Sequence, residues 1–319
     1  MKRVVVFGYG PVGREVTALF AARGNDVLVA QRGAPRHLPA GATFTSCDVT
    51  DANSVAAATT GREIAICTVG FRYSAAIWQR AWPAAMNAML SACEKASARF
   101  VFADNLYMYG PVTVPLTETM PLTSYGQKPR IRAEITRLWQ DAHAAGRVKV
   151  AAVRASDFYG PDVPNSILSM GISRMIADKA ALVPFSPNHP HDQTYVPDVA
   201  RAVVTLCEAP DDAYGQSWHV PNAPTHSLRE LLALAARIAE VPLRMRVLPT
   251  WLQPILGIAV PELRELIEMR FQTDRPYYVD AGKFRARFGQ EPTSFEDGLA
   301  ATVRFYRDAA RDPGGRTLR

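Results

Sequence analysis

Apolar positions along the chain follow two alternating rhythms. Val4-Val5-Val6-Phe7 is an unbroken apolar run rich in β-branched residues, the pattern of a strand buried on both faces of a parallel sheet. Val16, Leu19 and Phe20 then recur at helical spacing and predict a helix over 14–22, which Gly24-Asn25 stops. A second strand over 26–31 completes a β-α-β unit of about 30 residues. The alternation continues with strand 43–47, helix 51–58, strand 63–67, helix 75–95, strand 99–103, helix 130–145 and strand 148–154. Strands and helices taking turns in this way predict an α/β fold, a doubly wound parallel sheet with right-handed crossovers.

Beyond Gly160-Pro161 the rhythm loosens, and prolines at 164, 184, 187, 190 and 197 mark irregular connections. Helices are expected over 166–177, 199–207, 227–239, 261–270 and 295–307, and Thr225-His226-Ser227 offers cap chemistry before Leu228. The chain therefore divides into a sheet domain over 1–160, with segments returning from the later chain, and a smaller, mainly helical lobe over 161–310. A loose tail over 311–319 completes it.

Composition narrows the class. With 319 residues, 48% hydrophobic and 21% charged, the chain can bury a sizeable core. The apolar run at the start is too short for a signal peptide, and the stretch from Leu252 to Val260 is broken by Pro254. Neither reaches the roughly 20 residues of a membrane span, so a soluble protein without a membrane partner is expected. Cys47, Cys67, Cys93 and Cys207 lie far apart, with no C-x-x-C pair and no His at ligand spacing, which fits reduced thiols in a cytoplasmic protein and no metal. The net charge of +6 is scattered among acidic residues rather than interleaved with aromatics. That argues against nucleic acid and for an anionic cofactor or substrate.

Candidate chemistry begins at Gly8-Tyr9-Gly10-Pro11-Val12-Gly13, a G-x-G-x-x-G sequence between a predicted strand and a predicted helix. Gly8 permits the tight turn, Gly10 leaves room for a pyrophosphate, and Gly13 lets helix and strand pack closely. The helix N-terminus adds N–H groups and positive dipole charge. A Rossmann domain binding a nicotinamide dinucleotide follows. An acidic residue at the end of the second strand would accept the ribose 2′-hydroxyl of NAD, but Gln31-Arg32 stands there. Arg32, with Arg36, suits a 2′-phosphate, so NADP is expected ahead of NAD. Asp48-Val49 is placed to meet the adenine, although Asp48 serves a turn equally well.

These residues resemble the short-chain dehydrogenase/reductase superfamily in its extended, atypical branch of NAD-dependent epimerases/dehydratases and dihydroflavonol-reductase-like proteins. Asp48-Val49-Thr50-Asp51 resembles the adenine-side motif, and Val101 to Gly110 the strand that ends in a serine-rich segment and Val-Tyr-Gly. Arg154 to Pro161 looks like the segment that opens the substrate lobe, Tyr195 to Ala200 like Val-His-Val-x-Asp-Val-Ala, and Val279-Asp280 with Lys283 and Phe288-Gly289 like the C-terminal signature. The resemblance implies that Thr68 and Val69 also line the cofactor and that Tyr107, Asp157, Phe158, Tyr159 and Tyr195 shape the substrate pocket. It further implies a homodimer paired through the helices starting near Ala75 and Arg130.

In that family a Ser orients a carbonyl, a Tyr exchanges its proton, and a Lys four residues after the Tyr lowers the Tyr pKa. Here Asn105 stands at the serine position, where an amide either donates to the carbonyl oxygen or closes a turn. In Tyr125-Gly126-Gln127-Lys128-Pro129 the lysine comes one residue early and Pro129 holds its place. Residues four apart share a helix face, whereas Pro129 favours the first helical turn and leaves Tyr125 to Lys128 before it. Tyr125 is expected as the acid with Lys128 or Arg130 as the positive field, or else both are surface residues. Tyr107 and Tyr109 are alternative proton donors. His189 and His191, near Asp192, are either acid–base groups or exposed loop residues, and Trp78, Trp82 and Trp139 read as packing or subunit contact.

The sequence thus predicts an NADP-dependent oxidoreductase passing hydride to or from a small carbonyl or alcohol. An epimerase/dehydratase using transient oxidation, and a dinucleotide-binding sensor without turnover, are the alternatives.

Overall fold

The apolar runs form one sheet because helices cover it on both sides. The computed structural model describes residues 1–249, 252 and 261–311. The order along the chain is β1 (Arg3–Phe7), α1 (Pro11–Ala22), β2 (Asp26–Gln31), β3 (Ala42–Ser46), α2 (Ala52–Thr59), β4 (Ile64–Cys67), α3 (Ala75–Ala96) and β5 (Arg99–Asp104). Then come α4 (Lys128–Ala144), β6 (Val150–Arg154), β7 (Asp157–Tyr159), α5 (Ile167–Ile176), β8 (Ala181–Val183), β9 (Pro190–His191), β10 (Gln193–Tyr195), α6 (Val196–Glu208) and β11 (Ser217–His219). The chain continues through β12 (His226–Ser227), α7 (Leu228–Ile238), β13 (Met245–Val247), α8 (Pro261–Ile267), α9 (Gly282–Phe288) and α10 (Phe295–Arg311).

Among the described residues, seven strands form a sheet in the order β11-β6-β5-β4-β1-β2-β3, with every pairing parallel. Alternate residues of each strand enter opposite layers. Val5, Phe7, Phe100 and Phe102 pack under α2, α3 and α4, while Val4, Val6, Val101 and Val153 pack under α1 and α6. Trp78, Trp82 and Trp139 are buried in the first layer, as their helical spacing suggested. The strand order reverses between β1 and β4, so the crevice above their C-terminal ends is where a ligand meets this type of sheet.

The predicted alternation is present, with ends displaced by a few residues. Helix α4 begins at Lys128, two residues before the expected start, because Pro129 is accommodated in its first turn. Strand β11 was not expected: Ser217-Trp218-His219 is too short to show a period, yet it pairs with β6 from Ala152 to Arg154. In the later chain, β7 pairs with β10, β9 with β12 and β8 with β13. Tyr159, Leu232 and Leu299 sit in a core of their own there, between α5, α7 and α10. No helix among the described residues is long and apolar enough to cross a membrane. Most of the apolar stretch at 252–260, and the tail beyond Arg311, lie outside the described residues.

Candidate active site

The turn after β1 is shaped by what each glycine cannot carry. Gly8 has φ +91°, a left-handed conformation, and a Cβ there would stand 3.1 Å from the Val69 backbone. A Cβ on Gly13 would collide with the Gly8 carbonyl and lie 2.7 Å from Thr68 Oγ1, the hydroxyl that donates to Gly8 O at 2.9 Å. Gly10 differs, because a Cβ there would meet nothing within 4 Å. It is the N-cap of α1, which has no side-chain cap and no acidic residue in its first turn. A helix N-terminus that has no side-chain cap among the described residues, beside a bare glycine, fits a diphosphate. Pro11 opens the helix and Val12 packs beneath it.

At the end of β2, Gln31 uses its amide twice: Oε1 accepts from Tyr9 N–H at 3.0 Å and Nε2 donates to Gly33 O at 2.7 Å. Arg32 is exposed. The exposed Asp48 carboxylate accepts from the Thr50 N–H at 2.9 Å and the Thr50 hydroxyl at 2.7 Å, so of its two expected roles the turn is the one the contacts display. Val49 is buried behind it.

Strand β5 delivers Asn105 beside this crevice. Its Oδ1 accepts from Tyr107 N–H at 3.0 Å, closing a turn and leaving the amide Nδ2 as the group able to donate outward. Beneath it, the Asp104 carboxylate is buried between two guanidinium groups, bonded to Arg132 and 3.5 Å from Arg154 Nε. Arg132 lies over the Trp82 ring, 4.2 Å from its centroid. Tyr109 points into the sheet edge, where its hydroxyl accepts from Arg154 at 2.7 Å and lies 2.8 Å from His219 Nε2. Since His219 Nδ1 must donate to Asp280 O, 3.0 Å away, its Nε2 accepts the Tyr109 proton. Tyr107 stacks on Trp78, 6.2 Å between centroids; burial, and then the nearby Asp157 charge, push its phenol pKa far up.

Tyr125 and Lys128 are not brought together. Tyr125 is 42% exposed, edge-on to Phe271 at 5.6 Å, and the chain then turns through Gly126 at φ +59° before α4 starts. Lys128 points inward and is buried. Its Nζ lies 2.6 Å from Glu265 Oε2 and is bonded to Glu268 as well, 4.9 Å from the Tyr73 ring centroid. The same two carboxylates cap helices: Glu265 accepts Ala75 N–H at 3.1 Å and Glu268 accepts Gln127 N–H at 2.8 Å. Burial works against the Glu268 charge, but the Lys128 amine and the Gln127 and Lys128 N–H groups outweigh it and lower its pKa.

The residues expected to shape the pocket separate into two sets. Tyr159 is fully buried against Phe295, 5.6 Å between centroids, and Tyr195 packs on it at 5.3 Å. Phe158 joins the layer under α6. Asp157, by contrast, keeps a half-exposed side chain at the crevice, with Oδ2 3.2 Å from His191 Nε2. His191 is not the exposed loop histidine that was one of its two expected roles; it is buried, stacked on Tyr277 at 5.0 Å, and bonded through Nδ1 to Gln272 O at 2.8 Å.

His219, Arg132, Glu265 and Glu268 belong to none of the motifs the sequence shows. The spacing of Lys128, Arg132, Thr136 and Trp139 on one helix face was a signal for the second of these. The carboxylates of α8 and the turn after it carried none, since their partner lies 137 and 140 positions away.

This turn and sheet are shared with known proteins. The model of the NAD dependent epimerase/dehydratase family matches residues 4–220, more than half the chain. The chain belongs to that family. Three solved structures similar to this family member cover nearly the whole of both chains. UDP-glucuronic acid 4-epimerase from Bacillus cereus, in complex with NAD, gives a TM-score of 0.80 at 14% identity, covering 99% of this chain and 100% of the other. UDP-glucose 4-epimerase from Thermus thermophilus, also with NAD, gives 0.80 at 19%, covering 96% and 99%. The Bordetella bronchiseptica enzyme WbmH with NAD+ gives 0.75 at 18%, covering 97% and 99%. No curated protein matches the chain in sequence.

The expectation of NADP is thereby overturned. The family is described as NAD dependent, and all three similar structures hold NAD. The strand end explains why the arginine misled: the residue directed at the glycine turn is Gln31, a neutral hydrogen-bonding group, while Arg32 projects into solvent.

Proposed function

We propose that this epimerase/dehydratase-family member holds NAD and uses it to oxidise a secondary alcohol of its substrate transiently, returning the hydride before release. The observation that carries the reading is the bare, uncapped junction at Gly10, open where a diphosphate must lie. When bound, the dinucleotide supplies a carbon that takes up and gives back hydride. The protein's part is positional. Gly8, Gly10 and Gly13 admit the diphosphate, the first turn of α1 balances its charge, Thr68 and Val69 form the wall under it, and the Asn105 amide donates to the substrate oxygen as that oxygen gains carbonyl character. The epimerase names of the similar structures favour transient oxidation over net reduction of a carbonyl.

A second reading, a dinucleotide-binding sensor, draws on the exposure of Tyr125 and the capture of Lys128 by two carboxylates. One experiment separates them. Calorimetry with NAD and NADP, followed by reduced-nicotinamide absorbance on adding UDP-glucose, UDP-glucuronic acid or simple secondary alcohols, is expected to show NAD binding and reduction by a UDP-sugar. NAD binding with neither transient reduction nor stereochemical change in any of them supports the sensor, and no binding of either coenzyme overturns both readings.

A further inference from the structure

With Tyr125 at the surface and Lys128 tied to glutamates, the crevice needs another proton acceptor. We propose that Asp157 is the catalytic base of this site and that His191, buried behind it, is the residue that positions it. The proposal rests on the transient-oxidation reading above.

Placement comes first. Strands β5 and β6 run side by side with Asp104 opposite Arg154, and Ala155 N–H bonds Asp104 O at 3.3 Å, so the chain after β6 rises directly beside Asn105. Two residues on, Asp157 begins β7 and is held there by pairing with Gln193 in β10. Its side chain is 46% exposed against 8% for that of His191, so a substrate proton reaches the carboxylate and not the imidazole. The charge of Asp157 is felt by Tyr107, two residues beyond Asn105, and by Tyr73.

Proton counting assigns His191 its part. Gln272 O is an acceptor, so His191 Nδ1 must carry hydrogen. Nε2 then faces Asp157 Oδ2 at 3.2 Å, within ion-pair range but off the line of a hydrogen bond. A proton shared between them is favourable where two lone pairs would repel each other. Burial opposes charge on the ring, but Asp157, the Gln272 carbonyl and the neighbouring Asp192 outweigh it and raise the His191 pKa. Tyr277 stacks on the ring, and His226 is the strand partner of His191 across β9 and β12. A proton on Nε2 satisfies Oδ2, which leaves Oδ1 as the oxygen that can take a substrate proton.

The step balances. The substrate O–H bond breaks and its proton forms an O–H bond with Asp157 Oδ1. The hydrogen on the same carbon leaves with its electron pair to oxidised NAD, and the alcohol becomes a carbonyl. Return of hydride and proton reverses both changes.

The test uses the full chain with bound NAD, UDP-glucose and UDP-glucuronic acid as probes, and three variants: Asp157→Asn, His191→Asn and Tyr125→Phe. NAD affinity by calorimetry is expected to be the same in wild type, D157N and H191N. The rate of NAD reduction falls about 100-fold or more in D157N and about 10-fold in H191N. Wild-type activity declines as the pH rises through the raised His191 pKa, where the shared proton is lost, and H191N lacks that alkaline limb. A histidine NMR titration, independent of turnover, is expected to show the His191 pKa lower in D157N than in wild type. A wild type that reduces NAD while D157N matches it, or while Y125F alone abolishes reduction, overturns this assignment and leaves the functional reading standing. A wild type that binds NAD yet never reduces it overturns both.

Discussion

Lys128 Nζ lies 2.6 Å from Glu265 Oε2 in a contact that joins the start of α4 to α8, 137 positions further along the chain. Because Glu265 and Glu268 also cap the first N–H groups of α3 and α4, one short segment ties down two helix N-termini through a buried amine. Removing that amine strands two mostly buried carboxylates. Lys128→Met is expected to destabilise the fold by roughly 3 kcal/mol, read as a lowered Tm, with faster hydrogen exchange over residues 264–272. NAD binding at the glycine turn persists in the protein that remains folded.

Gly10 and Gly13 separate cofactor binding from folding. Gly10 has φ −74° and open space at its Cβ position, so Gly10→Ala is expected to melt like wild type while calorimetry shows NAD binding lost. Gly13→Ala drives a methyl into the Gly8 carbonyl and Thr68 Oγ1 and costs about 1–3 kcal/mol of stability, visible in a denaturant titration without any ligand. Equal effects of the two substitutions on Tm would contradict this division.

His219 makes stability depend on acid. Burial foremost, then the Arg154 charge, press its pKa down to about 3, below the unfolded value of about 6.5. The unfolded chain therefore takes up a proton that the folded one refuses. The stability contributed is present in full above about pH 6.5 and is lost as the pH falls below it, at up to about 1.4 kcal/mol per pH unit. Urea unfolding across that window, compared with His219→Gln, is expected to show the slope in wild type and its reduction in the variant.

Asp104 balances two buried arginines, Arg132 and Arg154. Asp104→Asn leaves both without that charge and is expected to cost roughly 3–5 kcal/mol, measured as a fall in the urea midpoint. Combining it with Arg132→Met, which removes one stranded cation, recovers part of the loss.

What the sequence disclosed depended on how local each signal was. The β1 to β6 alternation and the glycine turn were legible because a buried parallel strand writes a continuous apolar run, and a G-x-G-x-x-G turn works through neighbouring residues. The site was legible only to the ends of those strands: Asn105 and Asp157 could be placed, but the partners that give them chemistry come from afar. His191 faces Asp157 from another strand, and His219 reaches Tyr109 across 110 positions. Tyr125 was singled out by its spacing from a lysine, yet Gly126 turns the chain between them and sends one outward and the other in. Arg32 misled for a related reason, since charge is visible in a sequence and direction is not.

Strand β11 completes one edge of the sheet with residues that follow β7, α5, β8, β9, β10 and α6. An assembly finished by so late a segment has a high proportion of non-local pairing, which slows its final step. A nascent chain released near residue 160 has an unsatisfied edge at β6 with Arg154 and Tyr109 awaiting His219. A chimera joined at that point must therefore bring its own strand to lie beside β6.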